Sequence, residues 1–98
     1  MDGHLVCSFP TCDNYQFSIF LDHVEYSHPT QNKPHIIPFY EIQGVSFEGS
    51  FLHQSKLKIL LQDGSQYKVS FKSKEDTKHA CNILKQQVNV NYNDFFYN

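Results

Sequence analysis

Four residues near the start of the chain have the types and roughly the spacing of zinc ligands. Thiolate and imidazole groups bind Zn²⁺ in a tetrahedron, and small zinc modules supply them as two close pairs. Cys7 and Cys12 form one such pair and His23 and His28 the other, each with four residues between its members. Ten residues separate the pairs, where a C2H2 finger has about twelve. This near match predicts a zinc-dependent C2H2-like module that binds nucleic acid or protein.

The surrounding sequence favours a metal-free interpretation of the same residues. From Tyr15 to His28 apolar and polar residues alternate as in strands, whereas the second ligand pair of a finger lies on a helix. Pro29 would end a helix directly after the last ligand. We therefore expect no cofactor, with Cys7 in the core and Cys12 in a loop, and keep the zinc module as the alternative.

The end of the chain is the second candidate site. Residues 91–98 are polar and rich in asparagine, yet they include four aromatic side chains. Aromatic residues are enriched in protein–protein interfaces. We expect residues 1–90 to form one domain and the aromatic-rich tail 91–98 to contact a protein partner or a second copy of the chain. The alternative is that the tail packs back on the domain. The four residues are Tyr92, Phe95, Phe96 and Tyr97.

Lysines supply the third candidate site. All eight basic residues are lysines, and the lack of arginine disfavours nucleic acid, because bidentate readout of bases and phosphates uses the guanidinium plane. Four lysines fall on one outer face of a hairpin predicted over residues 55–72. A solvated face is the simpler interpretation, and weak, salt-sensitive contact with an acidic membrane surface is the alternative. These residues are Lys56, Lys58, Lys68 and Lys72.

Composition and motifs indicate a non-catalytic cytoplasmic domain. The 98 residues are 15% aromatic, which excludes a disordered chain. The chain begins without the basic and apolar regions of a signal peptide. Its three cysteines are an odd number, which disfavours a disulfide framework and fits a reducing compartment. His79 and Cys81 are two residues apart on a predicted helix and so point in different directions, which excludes a nucleophile–base pair. No phosphate-binding loop or nucleophile motif is present.

Alternation of apolar residues predicts strands up to Lys72. In the first strand, Leu5, Cys7 and Phe9 share a face. A change of parity at residues 22–23 predicts a turn, and the polar stretch 29–34 predicts a loop. The segment HIIPFYEIQGVSFEG predicts two short strands around FYE, with Gly44 as a possible bulge.

The last hairpin has a defined register. A three-residue loop over 62–64 pairs Ile59 with Tyr67 and Leu57 with Val69, which places the apolar residues of both strands on one face. The same loop puts a glycine at the left-handed position that such loops require.

A change of period after Lys72 predicts the C-terminal helix. Ser73 and Asp76 have the spacing of a capping box. Apolar and small residues then recur at helical spacing as far as Val88, so we expect one helix over about 74–88. The fold class is mainly β, with about seven strands and one C-terminal α-helix.

This order of elements resembles the pleckstrin-homology superfold, and within it the GRAM-like and bacterial PH-type domains. The resemblance covers residues 15–88 and is carried by FSIFLDHVEYSH, by IIPFYEIQGVSFEG, and by LKILLQDGSQYKVSFKSKEDTKHACNILK. It implies a seven-stranded barrel of two near-orthogonal antiparallel sheets capped by the helix. It also implies a binding module for phosphoinositides, proteins or peptides. Phosphoinositide binders of this family carry basic residues at the first loop, which here reads PTCDN. We therefore expect a protein or peptide partner.

Overall fold

The computed structural model describes residues 3–30, 32–49 and 55–97, with side chains as far as Asn89. Seven strands are followed by one C-terminal helix, which confirms the predicted order of elements. The elements are β1 (Leu5–Pro10), β2 (Gln16–Phe20), β3 (His23–Ser27), β4 (His35–Pro38), a 3-10 turn (Phe39–Glu41), β5 (Ile42–Glu48), β6 (Lys56–Leu61), β7 (Gln66–Val69) and α1 (Lys74–Tyr97).

The strands form two antiparallel sheets with one core between them. One sheet has the order β1-β2-β3-β4 and the other the order β5-β6-β7. Alternate residues of each strand point into the core, and α1 adds an apolar stripe while packing against β5 and β6. Among the most deeply buried side chains are Phe17, Ile19, Ile42, Leu57, Ile59, Phe71 and Leu84.

Backbone contacts join the two sheets where β1 and β7 end. Thr11 and Phe71 form an isolated antiparallel bridge, and the Cys12 N–H donates to the Ser70 carbonyl at 2.8 Å. Over the described ranges the strands form two separate ladders. The fold is thus sandwich-like, and the predicted closure into a barrel is not confirmed.

The first strand differs from its predicted face assignment. Leu5 pairs with Phe20 while Cys7 pairs with Ile19, so the register shifts between Leu5 and Cys7. An extra residue in one strand reverses the side of every residue beyond it. Leu5 therefore lies outside the core and is 56% exposed, whereas Phe9 is 7% exposed.

The predicted register of the last hairpin is confirmed. Leu57 pairs with Val69 and Ile59 with Tyr67. The backbone N–H of Gly64 donates to the Leu61 carbonyl at 3.0 Å, and Gly64 has a φ of +90°. A left-handed glycine after a type I turn lets a three-residue loop follow the twist of the two strands.

The helix begins where predicted and ends later. The Asp76 N–H donates to the Ser73 hydroxyl at 3.1 Å, as an N-cap requires. The backbone stays helical to Tyr97 rather than ending near Val88, so its 24 residues extend about 36 Å. In the part of the chain that the structure describes, no helix is both long and apolar enough to cross a membrane.

Candidate functional site

A groove of about 430 Å³ lies between α1 and the start of β5. Two valines provide apolar surface, and amide side chains and one lysine provide the polar groups. This combination of an apolar floor and a few polar groups is typical of binding sites. The lining residues are Gln43, Gly44, Val45, Gln62, Lys85, Val88 and Asn89.

Backbone geometry fixes the sheet side of the groove. The register of β5 shifts between Ile42 and Gly44, which confirms the predicted bulge and makes Gln43 the extra residue. The Gln62 N–H donates to the Glu41 carbonyl at 2.8 Å, and the Gln62 side-chain amide donates to the Ile42 carbonyl at 3.4 Å. These bonds hold the end of β6 against the start of β5, so this wall exists without a ligand.

The helix provides the opposite wall. Val88 is 6% exposed and packs on the core, while Lys85 and Asn89 are exposed beside it. Burial raises the pKa of the Cys81 thiol, and the positive charge of Lys85 partly opposes that shift. Cys81 is thus a neutral packing group, and Lys85 is the charged residue among those that line the groove.

The strand beside the groove lies at the edge of its sheet. Among the described strands, β5 pairs with β6 alone. An edge strand presents backbone N–H and C=O groups that another chain can pair with. A Cβ atom added at Gly44 would meet no atom within 4 Å, and the φ of Gly44 lies outside the left-handed region. Neither packing nor backbone conformation requires glycine here, but its small size leaves room for a second backbone.

The predicted lysine face carries an acidic residue that the sequence pattern did not reveal. Lys58 pairs directly with Lys68, as expected. The Glu48 carboxylate lies 3.6 Å from the Lys58 ammonium and 3.4 Å from that of Lys68, and in the β5–β6 register it is opposite Lys56. The predicted run of like charges is therefore partly neutralised from β5. Lys72 is exposed beyond the end of β7.

The two cysteines of the predicted zinc set have different surroundings. Cys7 is half-buried in β1, and burial raises the pKa of its thiol. Cys12 is exposed, and its thiol donates to the Phe71 carbonyl at 2.9 Å. The first cysteine is a packing residue, as expected, and the second lies in the loop after β1.

The two histidines of that set also have protein partners. His23 is buried, its Nδ1 lies 2.6 Å from the Asp22 carboxylate, and its ring stacks on Phe20 with 4.4 Å between centroids. The Nδ1 of His28 lies 2.7 Å from the Thr30 hydroxyl. Over residues 3–30, 32–49 and 55–89, the side chains form no group of three or more His, Cys, Asp or Glu residues placed to hold a metal ion. The zinc module stays a prediction.

The aromatic residues of the tail fall on the distal part of α1. The backbone is helical through Tyr92, Phe95, Phe96 and Tyr97, whereas their side chains lie outside the described residues. The assignment of these four residues to a partner contact stays a prediction.

The sequence patterns name three lining residues, each in another role: Gly44 as a bulge, Gln62 in the loop of the last hairpin and Val88 at the end of the apolar stripe of the helix. The other lining residues come from the start of β5 and the far half of α1. No family model matches this chain, and no curated protein gives a significant sequence match.

Proposed function

We propose that this chain is a non-catalytic interaction module that binds an extended peptide segment of a partner protein in the groove between β5 and α1. The observation that carries this proposal is the position of the groove beside an edge strand that bears Gly44. Peptides that add a strand to a sheet edge gain affinity from main-chain hydrogen bonds and specificity from side-chain pockets.

The groove residues suit such a peptide. Its backbone would approach β5 at Gly44, where no side chain intervenes. An apolar side chain would lie between Val45 and Val88, and the amides of Gln43 and Asn89 would bind polar groups at the rim. Lys85 would favour a peptide with a carboxylate near its end of the groove.

The two sheets and the C-terminal helix are compatible with a pleckstrin-homology-like fold. We extend this to a GRAM-like or bacterial PH-type domain with near-orthogonal sheets closed as a barrel. Such a domain would act as a cytoplasmic adaptor. Membership of that superfold is consistent with binding but does not select the ligand, so the proposal depends on the groove.

A peptide library displayed on phage provides a probe that requires no known partner. A peptide enriched on the immobilised protein would be titrated into ¹⁵N-labelled protein. We expect chemical-shift changes in the amides of residues 43–45 and 85–89. We also expect Gly44→Ala to weaken binding on the order of tenfold, because the added methyl group narrows the open space beside β5 that the peptide would use.

Gly3→Ala is the matched control, since a Cβ at Gly3 also meets no atom within 4 Å. Neither substitution should change the melting temperature by more than a few degrees. Enriched peptides that shift amides elsewhere, or that bind Gly44→Ala as tightly as the unsubstituted protein, would contradict the proposal.

A further inference from the structure

The loop between β1 and β2 is held rigidly by its own hydrogen bonds. The Thr11 N–H donates to the Tyr15 carbonyl at 2.9 Å, and the Asn14 N–H donates to the Thr11 carbonyl at 3.3 Å. Asn14 has a φ of +67°, in the left-handed region that asparagine tolerates better than most residues. The fully buried Thr11 side chain accepts from the Tyr15 N–H at 2.9 Å and donates to the Asp13 carboxylate at 2.5 Å. The position of Asp13 is therefore set before any ligand arrives.

Contacts with the two residues that follow β7 also hold this loop in place. The backbone N–H of Cys12 donates to the Ser70 carbonyl at 2.8 Å, and its thiol donates to the Phe71 carbonyl at 2.9 Å. The loop is thus attached, through Cys12, to the chain that leaves the second sheet, and Cys12 directly precedes Asp13.

Three partly exposed rings form a wall next to this carboxylate: one lies on β3, one directly before β2 and one directly after β3. Tyr15 and Tyr26 stack with 4.5 Å between centroids, and His28 meets Tyr15 at 4.8 Å with its ring inclined by 61°. The Tyr26 hydroxyl donates to the two Asp13 carboxylate oxygens at 3.4 and 3.3 Å. The aromatic wall, which we define as Tyr15, Tyr26 and His28, is joined to the charge by this hydroxyl.

The charge at this position is negative and lacks a counterion from the described residues. Hydrogen bonding from Thr11 is the largest of the effects that lower the pKa of Asp13, so the carboxylate is ionised at neutral pH. Burial and the Asp13 charge raise the pKa of the Tyr26 hydroxyl, which keeps its proton. The Thr30 N–H donates to Nδ1 of His28 at 3.2 Å, which holds this ring in place beside Tyr15.

We propose that Asp13 and the aromatic wall form a binding site for the arginine side chain of a partner protein. A guanidinium group can pair with a carboxylate while its flat face rests on aromatic rings, and it loses less hydration than an ammonium group when it does so. The wider charge pattern agrees with this choice. Residues 1–40 contain four acids and one lysine, a net charge of −3, which attracts a cationic segment.

This site is independent of the β5–α1 groove, because the residues that form the two sites do not overlap. Failure of one proposal therefore leaves the other intact. A partner that uses both sites would combine an extended segment at β5 with an arginine elsewhere on its surface.

The test uses a single amino-acid probe and a neutral analogue of the same shape. N-acetyl-arginine methylamide and N-acetyl-citrulline methylamide would each be titrated into the ¹⁵N-labelled full chain at low salt. We expect saturable shifts in the amides of residues 12–15 and 26–28 with the arginine probe. Binding of the citrulline probe should be weaker on the order of fivefold or more, because it has no charge to pair with the carboxylate.

Two variants separate the site from general attraction between charges. Asp13→Asn keeps an acceptor for the Thr11 hydroxyl, so the loop should fold as before, and it should weaken arginine binding on the order of fivefold. Asp63→Asn is the matched control. Asp63 is an exposed carboxylate that accepts from the Ser65 N–H and hydroxyl at 2.9 and 2.6 Å, and hydrogen bonding from Ser65 lowers its pKa too. This variant should bind the arginine probe normally.

Three results would overturn the proposal. Equal binding of the two probes would show that charge is not recognised. Equal weakening by Asp13→Asn and Asp63→Asn would indicate a diffuse electrostatic effect. Shifts confined to residues outside 12–15 and 26–28 would place the arginine somewhere else.

Discussion

Replacing Gly64 by alanine isolates the energetic cost of one backbone conformation. The residue has a φ of +90° in the loop between β6 and β7. A Cβ added there meets no atom within 4 Å, so a steric clash with neighbouring residues does not contribute. The penalty comes from the contact of Cβ with its own backbone, which costs an L-residue about 1–2 kcal/mol in the left-handed region.

The loop cannot easily relax to avoid this cost. The Leu61 N–H donates to the Ser65 carbonyl at 2.9 Å, and the Gly64 N–H donates to the Leu61 carbonyl at 3.0 Å. A change of φ at Gly64 would break one of these bonds or shift the register of Ile59 against Tyr67. We therefore expect Gly64→Ala to lower the free energy of unfolding by about 1–2 kcal/mol. In a domain of this size each kcal/mol lowers the melting temperature by about 4–8 °C.

Urea denaturation followed by far-ultraviolet circular dichroism would measure this difference. Gly44→Ala is the control, since it lacks both a left-handed φ and a steric contact, and it should change stability by less than about 0.5 kcal/mol. Gly64→Asn should lower the free energy of unfolding less than Gly64→Ala does, because asparagine tolerates a positive φ. If Gly64→Ala were as stable as Gly44→Ala, the backbone argument would be refuted.

Three further predictions concern other parts of the chain. Iodoacetamide should modify exposed Cys12 well before Cys7 or Cys81, whose thiol pKa values are raised by burial. Mass spectrometry of the digested protein would give the order of modification, and earlier reaction of Cys7 or Cys81 would contradict the prediction. Glu48→Gln should strengthen binding to vesicles containing phosphatidylserine at low salt, because it removes the carboxylate beside two lysines; unchanged co-sedimentation would exclude the lysine face as an anion-binding surface. If the aromatic tail contacts a partner, as we expect from its composition, deletion of 91–98 should abolish association and change the melting temperature by only a few degrees, whereas a large drop in a monomer would assign the tail to packing.

The elements themselves could be predicted because their signals are local. Pairing of β6 with β7 follows from the parity of apolar residues on either side of a short loop, and Gly64 fits the left-handed position of that loop. Ser73 marks the start of α1 because an N-cap side chain bonds to a backbone N–H three residues later. Each of these features depends on residues that are close in sequence.

The end of the helix could not be predicted in this way. Apolar periodicity stops at Val88, and it reports which residues pack rather than which residues are helical. Backbone hydrogen bonds continue the helix to Tyr97 without that pattern. The bulge near Leu5 was missed for a related reason, since one extra residue changes the face of a strand without changing its composition.

The sequence by itself determined a mainly β domain with a C-terminal helix, the register of its last hairpin and the expectation of a binding role. Only the tertiary structure placed Glu48 between two lysines, brought Val45 and Val88 into the lining of one groove, and brought Tyr26 to the Asp13 carboxylate. These residues lie on different strands, or on a strand and the helix. Their proximity is decided by how the two sheets and the helix pack, because the period of a single element fixes which face a residue occupies but not what lies across from it.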